Sequence, residues 1–119
     1  INALVACREV FIPLQMEFLA LKGMSRLLTL IGEVKKKFNK DAPTYRVIAT
    51  RFDGRKRLNN AIMVKVRERF GALVFQAVLR ENIAVAEAPS FGQSIFEYAP
   101  KSHGAEDFLA LCKEVVRRR

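Results

Sequence analysis

Three short apolar runs, separated by two stretches of helical periodicity, restrict the fold of this chain more than any other feature. The runs are Val10-Phe11-Ile12-Pro13-Leu14, Tyr45 to Thr50 around Val47-Ile48-Ala49, and Leu73 to Leu79 with Val74, Phe75 and Val78. Each is rich in β-branched and aromatic residues without polar alternation, the pattern of a strand buried on both faces. Between the first two, Leu21, Met24, Leu27 or Leu28, Ile31, Val34 and Phe38 recur every three or four residues and predict a helix over 17–38. Between the second and third, Leu58, Ile62, Val66 and Phe70 predict a helix over 58–70, stopped by Gly71. Strands joined through helices are parallel, and a parallel sheet needs both faces covered. The expected fold class is therefore α/β, a parallel sheet flanked by helices in a doubly wound arrangement.

A last helix is expected over 105–117, with Phe108, Leu111 or Cys112 and Val115 inward. Asn2–Glu9 reads as a short helical piece and Ile83–Ala88 as a short helix or turn. Pro89–Gln93 and Pro100–Gly104 read as loops, with Ser94–Tyr98 a short irregular or helical piece between them. The 119 residues suit one domain. Three strands are few for such a fold, and the chain opens on I-N-A-L-V-A-C-R-E with no methionine. The expectation is a fragment of a larger domain.

Charge narrows the partner. Lysine and arginine number 21 against 12 acids, a net charge of +9, which favours an anionic partner such as nucleic acid or an acidic membrane surface. Ligands of open α/β sheets bind beyond the carboxyl ends of the strands. The run Tyr45–Thr50 ends there in Arg51-Phe52-Asp53-Gly54-Arg55-Lys56-Arg57, a turn at Asp53-Gly54 followed by three cations. Lys65, Arg67 and Arg69 follow on the polar side of the next helix. Lys35-Lys36-Lys37 fit a solvated helix end, where cations also complement the dipole.

Other chemistries find no support. His103 is the only imidazole and has no fixed partner in sequence, and the acids are scattered among basic neighbours. The six glycines never take the GxxxxGK[ST] spacing of a phosphate cradle. Cys7 and Cys112 lie far apart in apolar helical patterns with no CxxC or Cys/His cluster, which argues against zinc and fits two reduced, buried thiols better than the alternative of a structural disulfide. No run of eighteen apolar residues marks a membrane span.

Three stretches resemble the carboxyl-terminal half of the ParA/Soj family of chromosome- and plasmid-partitioning ATPases. Asn2-Ala3-Leu4-Val5-Ala6 with Ile12-Pro13-Leu14-Gln15-Met16-Glu17-Phe18-Leu19-Ala20-Leu21-Lys22-Gly23-Met24 is similar to N-A-L-x-A … I-P-V-Q-x-E-Y-x-A-L-E-G-L. Thr50-Arg51-Phe52-Asp53-Gly54-Arg55 is similar to T-M-Y-D-G-R. Ala86-Glu87-Ala88-Pro89-Ser90-Phe91-Gly92, with Tyr98-Ala99-Pro100-Lys101-Ser102 and Gly104-Ala105-Glu106, is similar to A-E-A-P-S-F-G … Y-D-P-x-S-x-G-A-E. The resemblance implies that residues 1–119 are the carboxyl-terminal portion of one P-loop NTPase domain of the deviant Walker A class. It implies ATP and Mg²⁺ as cofactors of the whole protein, a homodimer formed around nucleotide, non-specific DNA binding, a ParB-type activator, and a cytoplasmic, nucleoid-associated location. The family's P-loop, switch and post-Walker-B segments precede the part that Ile1–Arg119 resembles. The chain alone is therefore expected neither to hydrolyse ATP nor to hold it tightly.

Residue roles follow from the same resemblance. Thr50, Arg51, Arg80 and Asn82 stand in the two strand-end loops that hold adenine. Arg55 matches a DNA-contacting arginine, and Lys56, Arg57, Lys65, Arg67 and Arg69 join it as phosphate contacts. Gln15 and Glu17 fall where the family approaches the nucleotide and the dimer partner. Two departures stand out in Arg80-Glu81-Asn82-Ile83-Ala84-Val85, where the family has P-R-N-V-R-L: Arg80 replaces a proline of the adenine pocket, and Ala84 replaces a second DNA-binding arginine. The alternatives are a basic DNA-binding module without enzymatic work and a MinD-like membrane-associated ATPase. The ending Val115-Val116-Arg117-Arg118-Arg119 lacks the apolar side of a MinD-type tail.

Overall fold

The computed structural model describes residues 6–38 and 44–118. The first strand, β1, is Glu9–Gln15, and it runs parallel to β2, Thr44–Thr50, in a register that places Ile12 beside Val47 and Gln15 beside Thr50. The helix between them, α1, is Phe18–Phe38, and β2 leads through a basic turn into α2, Arg57–Phe70. Gly71, at φ +52°, ends α2 and returns its N–H to the Arg67 carbonyl, a conformation that favours glycine. The remaining helices are α3 (Ile83–Glu87), α4 (Ile95–Tyr98) and α5 (His103–Arg117). Residues 2–5 of the helical piece expected at Asn2–Glu9 lie outside the described residues, and Glu9 already belongs to β1.

Alternation along β2 sorts the core into two layers. Val47 and Ala49 join Ile12, Leu14, Met24, Ile62, Val66 and Phe70 on the side covered by α1 and α2. Ile48 faces the other way and packs with Phe75 and Leu111, so α5 covers the opposite face. The sheet is thus parallel and flanked by helices, as the alternation of runs predicts.

The third apolar run is not a regular strand. It begins in a turn of 3₁₀ helix, Gly71–Leu73, and touches β2 through an isolated parallel bridge at Val47–Val74 and the segment just after β2 through another at Phe52–Arg80. Phe75 N–H donates to the Val47 carbonyl, yet the next such bond, to Ala49, comes from Leu79, so four residues cover a step that takes two in β2. The extra length turns outward. The Gln76 and Ala77 N–H groups donate to the Glu114 carboxylate of α5, both at 2.8 Å, and the Arg80 N–H donates to Asp107 Oδ2 at 2.9 Å. Asp107 and Glu114 are seven residues apart, two turns, hence on one face of α5. Both are buried, at 9% and 5% exposure. Two acids that look like solvent-facing helix residues in sequence instead satisfy the bulged backbone and close that edge of the sheet.

Residues 89–91 of the expected loop Pro89–Gln93 belong, with Ala88, to a 3₁₀ turn, with Pro89 near its start and Gly92 at φ +64° after it. His103 is the first residue of α5 and not a loop residue, because Ser102 caps that helix by accepting from Ala105 N–H at 3.1 Å. The two thiols are not buried as expected: Cys7 is only half-buried, and Cys112 is exposed because Leu111 takes the core-facing position of α5.

Candidate nucleotide and nucleic-acid site

The carboxyl ends of β1, β2 and the third segment converge on one corner of the molecule. Gln15 stands beside Thr50 in the register, and Gln15 O accepts from Glu17 N–H at 2.7 Å as the chain bends into α1. At the exit of β2, Arg51 takes φ +50°, a left-handed conformation that is uncommon for a residue with a side chain. Phe52 then pairs with the third segment: its N–H donates to the Leu79 carbonyl at 3.2 Å, and its own carbonyl accepts from Glu81 N–H at 3.0 Å. An exposed Arg51–Glu81 ion pair, 3.4 Å, lies alongside.

Beyond these strand ends lies a cavity of about 420 Å³. Thr50, Arg51, Arg80 and Asn82 all line it, brought together from two loops thirty residues apart in the chain. Its apolar walls are Leu79, Ile83, Val85 and Phe108, and Gly104 and Asp107 of α5 close the far side. The size and the mixture of apolar walls with a few polar groups suit a flat heteroaromatic ring. Gly104 is required by packing: a Cβ there would stand 2.4 Å from Val85 Cγ2 and 3.2 Å from Asn82 Oδ1.

Two of the expected contacts have prior commitments. Asn82 caps α3, its Oδ1 accepting from Ala84 N–H at 3.1 Å, which leaves both amide N–H donors and one oxygen lone pair to offer a ligand. Arg80 is part of the wall, and its guanidinium is turned to Asp107. Nε and Nη2 donate to that carboxylate at 2.8–3.1 Å, with Glu106 at 3.6 Å, and this pairing raises its pKa above the ordinary arginine value. The sequence marks Arg80 as an oddity but gives no sign of its partner, which is twenty-seven residues away.

The basic loop adjoins this cavity. A second concavity of about 670 Å³ shares Arg80, Glu81, Asn82 and Ile83 with it and adds Phe52–Arg55 and His103. The loop is fastened to α2: Asp53 N–H donates to Asn59 Oδ1 at 3.0 Å, and Asn60 Nδ2 donates to the Gly54 and Lys56 carbonyls at 2.8 and 3.2 Å. Arg55 holds Asp53 through its Nε and Nη2, each at 3.1 Å, and through its backbone N–H at 3.0 Å. The Arg55 side chain is 92% exposed. Its fork is the largest cause holding the Asp53 carboxyl down to about 2, and its backbone N–H adds to the effect.

The six expected phosphate contacts do not form one face. Arg55, Lys56 and Arg57 are consecutive and exposed at the loop. On α2, Lys65 and Arg67 are two residues apart, roughly 200° around the axis, and so lie on opposite flanks. Arg67 shares a flank with Asn60, which grips the loop, whereas Lys65 and Arg69 share the other, with Arg69 over the Phe70 ring at 5.2 Å. Among the described residues no group of three or more His, Cys, Asp or Glu side chains gathers as a metal site. Likewise, no helix among them is long and apolar enough to cross a membrane.

Comparison with known proteins identifies the class to which this arrangement belongs. Residues 4–95 match the family described as CobQ/CobB/MinD/ParA nucleotide binding domain, and the chain belongs to that family. Within it, the chain is similar to partitioning proteins of the ParA/Soj type. It is 38% identical over 118 residues to the chromosome partitioning protein ParA of Caulobacter vibrioides, covering 99% of this chain and 44% of that protein. It is 41% identical over 116 residues to the sporulation initiation inhibitor protein Soj of Bacillus subtilis, covering 98% and 46%. With the chromosome-partitioning ATPase Soj of Thermus thermophilus it shares 38% identity over 118 residues, 99% of the chain and 47% of that protein. The chain spans about half the length of the curated relatives it matches.

Proposed function

We propose that residues 1–119 are the carboxyl-terminal, adenine- and DNA-facing portion of a ParA/Soj-type partitioning ATPase. One observation carries this reading: Thr50, Arg51, Arg80 and Asn82, expected from two separate loops, line a single cavity at the carboxyl ends of the strands. In this reading an adenine ring lies between Leu79, Ile83 and Phe108, and Thr50, the Arg51 backbone and the Asn82 amide supply its hydrogen bonds. Arg80 acts as a wall braced by Asp107, doing by an ion pair what a proline does by ring stiffness. Phosphates and Mg²⁺ are held by parts of the whole protein other than the described residues.

Arg55, Lys56 and Arg57, with Arg67 on the adjoining flank, meet DNA phosphates without reading bases. Ala84 supplies no cation, so the loop carries most of that contact. The whole protein dimerises around nucleotide on the nucleoid in the cytoplasm and is stimulated by a ParB-type partner. The decisive test uses the 119-residue chain with fluorescent mixed-sequence duplex and with adenosine. The expected result is DNA binding that weakens steeply with salt, weak adenosine binding, and no ATP turnover above a buffer blank. Turnover by the chain, or DNA binding indifferent to salt, contradicts the proposal. A plain DNA-binding module is distinguished by an adenosine-blind cavity.

A further inference from the structure

Arginine has two forks of parallel donors, one formed by Nε with Nη2 and one by Nη1 with Nη2. In Arg55 the first fork is taken by both oxygens of Asp53, at 3.1 Å each, while the side chain is 92% exposed. Asp53 is itself fixed: its N–H is held by the buried Asn59, and its carboxylate side chain is only 12% exposed. The pair stands on a loop whose carbonyls at Gly54 and Lys56 are gripped by Asn60. Glu81 stands near enough to add its charge to that felt by Arg55. An exposed arginine ordinarily gives up much rotamer freedom when it grasps a phosphate. Here that freedom is already removed, and the second fork points away from the carboxylate.

We propose that Asp53 is a positioning residue for anion capture: it holds Arg55 by one fork so that the other is presented, preformed, to a DNA phosphate. The inference rests on the DNA-facing reading of the loop. It makes a prediction opposite in sign to charge counting. Removing a carboxylate beside a phosphate site should tighten DNA binding if charge alone mattered. If positioning dominates, losing the carboxylate weakens binding although the chain becomes more positive.

The test is a double-mutant cycle on the 119-residue chain with a fluorescein-labelled mixed-sequence duplex. Asp53→Asn retains the Oδ1 acceptor for the Arg55 backbone N–H and with it the turn, but offers the fork one oxygen in place of two. The expected result is about threefold weaker binding for Asp53→Asn. In an Arg55→Ala background the same change should strengthen binding up to about twofold, because only the charge term is left. A spectroscopic readout accompanies it: the Arg55 Nε–H resonance should be sharp in the wild type and broaden in Asp53→Asn while the Asn59 and Asn60 side-chain signals hold their positions. Equal strengthening in both backgrounds overturns the proposal and leaves the DNA-facing reading intact. An Arg55→Ala chain that binds duplex as well as wild type overturns both.

Discussion

Two aspartate–arginine pairs flank the same corner, and they are built alike. Asp107 takes the Nε/Nη2 fork and the backbone N–H of Arg80, and Asp53 takes the Nε/Nη2 fork and the backbone N–H of Arg55. They differ in reach and in water. Asp107 comes from α5 and bridges twenty-seven residues of chain, with Arg80 38% exposed, whereas Asp53 is two residues from Arg55, whose side chain is 92% exposed. The first pair couples two elements and shapes a cavity wall, so its loss is felt by the fold. The second orders one loop, so its loss is felt by whatever the loop touches. Identical chemistry gives stability in one place and ligand geometry in the other because burial sets the alternative available to each partner.

The largest effect expected from breaking this contrast is on the buried side. Asp107→Ala leaves the Arg80 N–H without its acceptor and the guanidinium with only the longer Glu106 contact at 3.6 Å, and should lower stability by about 3 kcal/mol, read as a shift of the urea midpoint. Gly104→Ala should follow, at about 2 kcal/mol, because the new Cβ drives into Val85; adenosine binding should weaken with it. On the exposed side, Arg55→Ala with Arg57→Ala should leave stability within about 0.5 kcal/mol of wild type. The same double change should reduce the salt slope of DNA binding by about two units.

The smallest effect is one of pH. The Asp53 carboxyl lies at about 2 in the folded chain against an ordinary 3.8, so its contribution is complete above about pH 4 and is lost as pH falls towards 2. The difference in urea midpoint between wild type and Asp53→Asn should therefore be constant from neutral pH to about 4.5 and close below it.

The sequence announces the parts of this molecule that depend on periodicity and hides those that depend on distant pairing. The stripes Met24-Ile31-Val34 and Ile62-Val66-Phe70 are buried as their spacing predicts. The run Val47-Ile48-Ala49 is the innermost strand. Leu73–Leu79 has the composition of a strand, but its composition cannot disclose that Glu114 and Asp107 take its outward N–H groups and let it bulge. Strand ends mark the loops that hold Thr50, Arg51, Arg80 and Asn82, but only the family resemblance singles out these four, and the structure shows them lining one cavity. Arg51's positive φ, the capping duty of Asn82 and the Arg80–Asp107 pair carry no local signature, since each is set by contacts across the fold. The division of α2's cations between two flanks was readable from spacing alone, because Lys65 and Arg67 are two residues apart on a helix.

The central claim is that a packed cavity for a purine and an exposed loop for phosphates lie side by side and act on different ligands. Backbone amide shifts of the 119-residue chain, followed with adenosine and separately with a short duplex, test it most directly. Adenosine should move Thr50, Arg51, Asn82 and Gly104, with little dependence on salt. Duplex should move Gly54, Arg55, Lys56 and Arg57 and release them as salt rises. Adenosine that leaves the cavity amides unmoved, or two ligands that move the same residues, would contradict the account.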